Sequence, residues 1–190
     1  MRIIGGTHRG LKLAEVGAGD AAAHLRPSSD RLREALFNVL AQGRLGDWVR
    51  GARVLDLFAG TGALGLEALS RGAVQVTFVE TGAAARALIR ANVEKMRAMG
   101  ATRIYRRDAT DLGANRGAGF DLVFLDPPYG QGLGERALAS AREGGWLVPG
   151  ALVVWEEAAP MLPPAGFALV DRRRYGTAHL TLLDAEPDEA

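Results

Sequence analysis

Residues 53–65 read RVLDLFAGTGALG, an apolar strand that runs directly into a glycine-rich turn and the first residues of a helix. Gly60, Gly62 and Gly65 follow the spacing G-x-G-x-x-G, and glycines so placed let the backbone turn tightly and approach a ligand closely. The pattern is typical of the ligand-binding turn of dinucleotide and related cofactor folds. A tight turn without any ligand also satisfies it, so the spacing alone does not decide the function.

Downstream of this turn, short apolar strands alternate with helices, which indicates an α/β fold with a mostly parallel, doubly wound sheet. The periodicity predicts strands at 53–58, 74–80, 103–107, 122–125 and 152–155, and helices at 62–71, 81–99 and 133–142. Thr81 is expected to cap the longest of these helices. Two closing strands, 168–174 and 179–183, are predicted to pair as an antiparallel hairpin around Gly176.

Upstream of the turn, residues 2–5 and 10–16 are predicted to form a small β-hairpin around residues 6–9. The segment 26–43, RPSSDRLREALFNVLAQG, has the apolar spacing of a helix. The organisation expected from these patterns is an N-terminal hairpin extension with a loop at 1–24, a main domain at 25–183 and an acidic tail at 184–190.

The composition excludes several classes of protein. With 190 residues, 48% hydrophobic and 24% charged, the chain fits a single globular domain with a short appendage. It has no Cys, and its three histidines (His8, His24 and His179) are far apart, so we expect neither thiol catalysis nor a metal site. Without a membrane-length apolar run or a signal-peptide pattern, we expect a cytoplasmic monomer with no membrane partner.

Charge is unevenly distributed along the chain. The last seven residues hold four acids and no base, so residues 1–183 carry 23 bases against 18 acids. This excess of positive charge permits a nucleic-acid partner without establishing one.

Three acids stand at or near the ends of predicted strands, where α/β sheets bind their ligands. Asp56 would repel a pyrophosphate but attract the positively charged amino-acid end of S-adenosylmethionine (SAM). Glu80 could then accept hydrogen bonds from the ribose hydroxyls, and Asp108 from the adenine amine. Each acid could instead cap a turn or form an ion pair, for example with Arg106 or Arg107.

The most specific motif is Asp126-Pro127-Pro128-Tyr129, directly after the apolar strand at 122–125. Two prolines end the strand in a rigid loop, because proline fixes φ and cannot continue the ladder. Asp126 and the Pro127 carbonyl can accept both hydrogens of an exocyclic base amine, and Tyr129 can stack on the base ring. The motif therefore indicates an amino-methyltransferase in which catalysis is mostly positioning, although a simple strand-ending turn would have the same residues.

Four segments resemble the RsmD family: RIIGGTHRGLKL, LRPSSDRLREALFNVL, VLDLFAGTGALGLEALSRGA and FDLVFLDPPYG. The resemblance extends from Arg2 to about Leu183. It implies a Rossmann-like SAM-dependent methyltransferase fold with a small N-terminal β-hairpin extension. It also implies methylation of the exocyclic amine (N2) of a guanine in 16S ribosomal RNA, with protein-bound, partly assembled RNA as the substrate.

The resemblance also implies which residues act. Its catalytic motif matches Asp126, Pro127, Pro128 and Tyr129. Its cofactor positions lead us to expect SAM contacts from Asp56, Phe58, Ala59, Gly60, Thr61, Gly62, Glu80, Asp108 and Ala109. One departure is Gly82, where many relatives have an acid or an amide, and this puts the adenosine contact at that position in doubt.

RNA contacts are expected from the basic N-terminal region. His8 and Arg9 at the hairpin tip, with Arg26 and Arg33 around the start of the first helix, are the candidates, because arginine binds two phosphate oxygens at once. Ordinary solvation, or pairing of the arginines with Asp30, is the competing interpretation. The run 172–174 (Arg-Arg-Arg) is assigned no role.

Three alternative functions remain open from the sequence. The first is an amino-methyltransferase acting on an adenine or cytosine, in DNA or in another RNA. The second is an NAD-dependent dehydrogenase, which would leave the motif at 126–129 unexplained. The third is a non-catalytic RNA-binding or ribosome-assembly module, for which Asp126→Ala would change nothing measurable.

Overall fold

The computed structural model describes residues 1–14, 30–42 and 46–187. Its helices are α1 (Asp30–Gln42), α2 (Ala63–Ser70), α3 (Ala83–Lys95) and α4 (Leu133–Glu143). Its strands are β1 (Arg53–Leu57), β2 (Gln75–Val79), β3 (Thr102–Tyr105), β4 (Phe120–Leu125), β5 (Leu147–Glu157), β6 (Phe167–Tyr175) and β7 (Ala178–Ala185). Short 3-10 turns lie at Gly6–His8 and Met99–Ala101.

The strands form one sheet in the order β3-β2-β1-β4-β5-β7-β6. Strands β3, β2, β1, β4 and β5 are parallel, whereas β7 is antiparallel to both β5 and β6. The chain leaves β1 towards β2 and later returns to place β4 on the other side of β1. This reversal is the switch point at which such sheets bind ligands. The predicted Rossmann-like α/β fold with a closing hairpin is confirmed.

Alternating side chains of the strands supply two apolar cores, one on each face. One face carries Val54, Phe78 and Phe124, packed with apolar residues of α1, α2 and α3. The opposite face carries Leu57 and Trp155, packed with α4. Complete burial of side chains of this size contributes roughly 1.5–3 kcal/mol each, so the two cores fix the sheet that presents the loops above it.

The N-terminal segment has the outline of a hairpin but not two continuous strands. The only described bridge of β type within residues 1–14 joins Arg2 to Lys12. The Ile3 N–H donates a hydrogen bond to the Leu11 carbonyl, and the Ile3 carbonyl accepts one from the Gly10 N–H. The tip is a 3-10 turn in which Gly6 has φ +77°, a value that interrupts strand geometry. The strands predicted at 2–5 and 10–16 are therefore wrong in extent, and residues 15 and 16 lie outside the described part.

Two polar side chains of α2 hold this segment on the main domain. Glu67, fully buried, accepts hydrogen bonds from the backbone N–H groups of Ile4 and Gly5, both at 2.8 Å. Ser70 accepts from the His8 N–H at 2.9 Å. Residues 1–14 are thus packed against the core, and the predicted domain boundary at residue 24 lies outside the described residues.

Several boundaries differ from those predicted. Helix α3 begins after Gly82 with no side-chain cap, so the capping role expected of Thr81 is wrong. Strand β7 continues to Ala185, which places the first two residues of the predicted acidic tail in the sheet. Of the helix expected at 26–43, residues 30–42 are helical and the rest fall outside the described ranges. No described helix has the length and apolarity needed to cross a membrane.

Candidate active site

A cavity of about 1330 Å³ opens at the carboxyl ends of β1, β2, β4 and β5. It spans the switch point between β1 and β4, where the fold predicts a ligand. Its lining includes most of the residues predicted to bind cofactor or substrate: Asp56, Phe58, Ala59, Gly60, Thr61, Glu80, Asp126, Pro127, Pro128 and Tyr129.

The glycine-rich turn forms one wall of this cavity. Phe58 has φ +56°, which is unusual for a residue with a side chain and costs of order 1–3 kcal/mol. Glu80 holds the turn by accepting the Gly60 N–H at 2.8 Å and the Gly82 N–H at 2.6 Å. Strain of this kind persists only where the surroundings enforce it, and it is concentrated at functional sites.

Gly65 allows α2 to pack directly against the end of β1. Its N–H donates to Asp56 Oδ2 at 3.0 Å. A Cβ at this position would lie 2.4 Å from the ring of Phe78, 2.7 Å from Val76 and 2.9 Å from Asp56 Oδ2. The last glycine of the motif therefore serves close packing and the hydrogen bond to Asp56.

Asp56 is a carboxyl group almost without solvent access, 2% exposed. Burial raises the pKa of Asp56 to about 8; the Gly65 N–H opposes this shift and the charge of Glu80 adds to it. A buried carboxyl group at the edge of a cavity favours a cationic ligand, because a nearby positive charge stabilises its ionised form. The Asp56 carboxyl group therefore fits the cationic amino-acid end of SAM, and Glu80 lies directly after the neighbouring strand β2.

The loop after β4 is fastened to the end of β5. Tyr129 is 45% exposed, and its hydroxyl donates to Glu156 Oε1 at 2.9 Å. The Gly130 N–H donates to Glu157 Oε1 at 3.0 Å. Two consecutive glutamates thus orient the loop, so that the Tyr129 ring borders the cavity with its hydroxyl engaged.

Asp126 stands among other carboxyl groups. Burial first, then the charges of Glu156, Asp56 and Glu157, hold the pKa of Asp126 well above its ordinary value. Its carboxyl group accepts no hydrogen bond from the described residues. An acceptor that the protein leaves without a donor is suited to a substrate N–H, which supplies that missing partner.

Three predicted cofactor residues do not line the cavity: Gly62, Asp108 and Ala109. Asp108 accepts hydrogen bonds from the N–H and the hydroxyl of Thr110, at 2.8 and 2.7 Å, and these bonds lower its pKa. This is the turn-capping arrangement that the sequence left open as an alternative. The expected contact of Asp108 with adenine stays a prediction.

The prediction that Arg33 contacts RNA is wrong. Its side chain is 1% exposed, and Nη2 donates to the Arg2 carbonyl at 2.8 Å and to Asp30 Oδ1 at 2.6 Å. The pairing with Asp30 is the competing interpretation of the sequence. Arg33 faces the N-terminal segment, and no local sequence pattern predicts that this segment covers it.

The other RNA candidates lie away from the cavity or outside the described ranges. The ring of His8 bonds through Nε2 to the Met96 carbonyl at 3.1 Å, which ties the turn at 6–8 to the end of α3. Arg9 is exposed beside it. Neither lines the cavity, and Arg26 is not among the described residues. Their RNA contacts stay predictions.

The cavity residues that were not predicted include Arg31 on α1, Glu156 near the end of β5, and Arg174 and Tyr175 at the end of β6. Glu156 carried a recognisable signal, since it follows an apolar strand as Asp126 does. The two arginines carried no such signal, because only the fold places α1 and the closing hairpin at the cavity.

Within 1–14, 30–42 and 46–187, no cluster of His, Asp and Glu could hold a metal ion.

Known proteins resemble the whole chain. A family model described as conserved hypothetical protein 95 matches residues 1–184. Ribosomal RNA small subunit methyltransferase D of Escherichia coli K12 is 40% identical over 189 residues, covering 98% of this chain and 90% of the relative. The Haemophilus influenzae protein of the same name is 33% identical over 181 residues, covering 93% and 89%. The solved structure of the putative methyltransferase yhhF from Escherichia coli, 36% identical, superposes with a TM-score of 0.82 over 98% of both chains. The chain therefore belongs to the RsmD family of ribosomal RNA small subunit methyltransferases.

Proposed function

We propose that this protein transfers a methyl group from SAM to the exocyclic amine, N2, of a guanine in 16S ribosomal RNA. One observation carries the proposal: the strained glycine turn and the Asp126–Tyr129 loop, on neighbouring strands, open into the same cavity. Full-length similarity to relatives named for small-subunit ribosomal RNA supports this substrate.

The cofactor half of the site is built from β1 and β2. The buried carboxylate of Asp56 attracts the cationic amino-acid end of SAM, and Glu80 accepts from the ribose hydroxyls while it holds the Gly60 N–H. Bound SAM supplies an electrophilic methyl group on a positively charged sulfur. The cationic charge favours the ionised form of both Asp56 and Asp126, which burial otherwise disfavours.

The base half is built from the loop after β4. Asp126 and the Pro127 carbonyl accept the two hydrogens of the guanine amine and direct its lone pair towards the methyl group. Tyr129 stacks on the base, a contact worth about 1–3 kcal/mol at comparable sites. The amine nitrogen would form a C–N bond as the S–CH3 bond breaks and S-adenosylhomocysteine departs, and it would then release one proton to water. No strong base is needed, because the methylated nitrogen is acidic before that loss.

RNA approaches the cavity past two exposed arginines. Arg31 of α1 and Arg174 of β6 lie at the lining, whereas the interior groups Asp56, Asp126 and Glu156 are acidic. Positive charge at the rim attracts phosphates, and the target base must leave its helix to enter. We propose that the substrate is RNA in a protein-bound assembly particle in the cytoplasm, and that the enzyme acts as a monomer.

The test supplies labelled SAM with unmodified small-subunit RNA or particles and maps the labelled nucleoside. We expect label on N2 of one guanine, and a loss of transfer of at least about a hundredfold for Asp126→Ala. Label on an adenine or cytosine would support the alternative amino-methyltransferase. Equal transfer by wild type and Asp126→Ala would contradict the mechanism, and RNA binding without transfer would support the non-catalytic module.

A further inference from the structure

Glu156 and Asp126 are brought side by side by the register of two parallel strands. Leu125 of β4 pairs with Trp155 of β5, so the next residue of each chain segment stands at the same edge and on the same face. Both side chains line the cavity. Glu156 is only 8% exposed, so it is part of the cavity interior rather than its rim.

The groups around this pair accept hydrogen bonds rather than donate them. Ionised carboxylates have no donor, and Asp56, Asp126 and Glu156 all face the cavity. The hydroxyl of Tyr129 is directed at Glu156 at 2.9 Å and so fixes the orientation of that carboxyl group. A carboxylate accepts several hydrogen bonds, so the bond from Tyr129 does not exhaust the capacity of Glu156.

Nucleobases differ in what they present beside the amine. Guanine has two adjacent donors, N1–H and the 2-amino group, whereas adenine and cytosine place an acceptor nitrogen next to their amine. Two neighbouring carboxylates match the guanine edge. With the other two bases, one carboxylate would face a lone pair, and the resulting repulsion and lost hydrogen bond disfavour binding.

We infer that Glu156 is a specificity-determining residue, which accepts the N1–H of the target guanine while Asp126 accepts from its 2-amino group. The inference rests on the proposed function and names the side chain that selects the base. It assigns Glu156 a contact with the target base in addition to its bond to Tyr129.

The test compares two substrates that differ at N1 and C6. Small-subunit particles are reconstituted with guanine or with 2-aminopurine at the mapped position; 2-aminopurine keeps the 2-amino group but lacks the C6 oxygen and has an acceptor at N1. We expect the wild-type full-length protein to prefer guanine by about 10- to 100-fold in kcat/KM. Equal use of the two bases by wild type would overturn the inference, and this arm needs no variant to fold.

The decisive variant is Glu156→Gln. The amide oxygen can still accept from Tyr129, while the amide N–H2 can donate to N1 of 2-aminopurine. We expect kcat/KM for guanine to fall about 10- to 100-fold and the preference to shrink or reverse, with the dissociation constant for SAM changed less than about threefold. An unchanged preference in a folded Glu156→Gln protein would overturn the inference.

Two further variants separate base selection from loop positioning. Glu157→Gln alters the neighbouring carboxylate, which bonds the Gly130 N–H and does not line the cavity. Tyr129→Phe removes the hydroxyl that orients Glu156. We expect Glu157→Gln to retain the wild-type preference and Tyr129→Phe to lower turnover of both bases while guanine stays preferred. A preference lost equally in Glu157→Gln would show a loop effect and contradict the assignment.

Failure of the proposed function gives a different result. If no variant and no wild-type protein labels N2 of the guanine, the proposed function is wrong and the base comparison has no signal. If wild type labels guanine but Glu156→Gln leaves the base preference unchanged, the proposed function stands and the role of Glu156 is wrong.

Discussion

At the residue scale, Asp56 makes stability depend on pH. Its pKa is raised to about 8 by burial from an ordinary 3.8, so the folded protein retains a proton that the unfolded chain loses near pH 4. This contribution to stability is present below about pH 4 and is lost as pH rises towards 8, with a slope of at most about 1.4 kcal/mol per pH unit. We expect Asp56→Asn to be increasingly more stable than wild type, without ligand, as pH rises from 5 to 8.

Denaturant unfolding at several pH values checks this expectation, with the difference between the two proteins as the readout. We expect SAM to bind better to the ionised carboxylate, and therefore to stabilise wild type and to have little effect on Asp56→Asn. A difference that is flat between pH 5 and 8 would contradict the raised pKa of Asp56.

A second residue-scale prediction concerns Gly65, where any Cβ meets Phe78, Val76 and Asp56 within 3 Å. We expect Gly65→Ala to lower the free energy of unfolding by about 1–3 kcal/mol through overpacking, and to weaken SAM binding because Asp56 is displaced. The matched control is Gly100→Ala, since a Cβ at Gly100 meets nothing within 4 Å. Thermal unfolding and SAM titration of both variants measure these two effects. Equal stability and equal SAM affinity of the two variants would contradict the packing argument.

At the scale of elements, the N-terminal segment depends on α2. Glu67→Ala leaves the N–H groups of Ile4 and Gly5 without their acceptor and removes the ion pair with Arg71. We expect a loss of about 2–4 kcal/mol of stability, because buried groups are left unpaired. Glu94→Ala, at an exposed position of α3, should change stability by less than about 0.5 kcal/mol.

Hydrogen exchange of the Ile4 and Gly5 amides locates the effect. Fast exchange at these two amides in Glu67→Ala, with slow exchange retained in β4, would show that the segment detaches before the sheet unfolds. Unchanged exchange at both amides would mean that Glu67 does not hold the segment.

Local sequence patterns predict much of the sheet and part of the candidate site. The periodicity around 53–65 and the run at 122–129 predict the sheet, the turn and the loop, because strand burial and proline geometry are local properties. The positions of Glu80 and Asp126 at the ends of strands could be predicted for the same reason. The burial of Arg33 could not be predicted, since it depends on a segment 31 residues earlier in the chain, Arg2, folding over it.

At the scale of the whole molecule, a formal net charge of +1 conceals an acidic cavity with arginines at its mouth. This charge arrangement could not be predicted from the sequence, because Arg31 and Arg174 are distant in the chain and both line the cavity only in the folded protein. The acidic interior repels phosphate and admits a cation and an uncharged base. The rim therefore has to supply the attraction for the RNA backbone.

Arg31 and Arg174, the exposed arginines at the cavity rim, are predicted to bind the RNA backbone. We expect Arg31→Gln and Arg174→Gln each to raise KM for RNA severalfold, to leave the SAM dissociation constant nearly unchanged, and to reduce the salt dependence of RNA binding by about one phosphate contact. Arg90→Gln, at an exposed position of α3 that does not line the cavity, is the matched control. RNA titrations at several salt concentrations measure the slope. If all three variants lose the same affinity, general charge rather than the rim attracts RNA; if neither rim variant loses any, the backbone enters elsewhere.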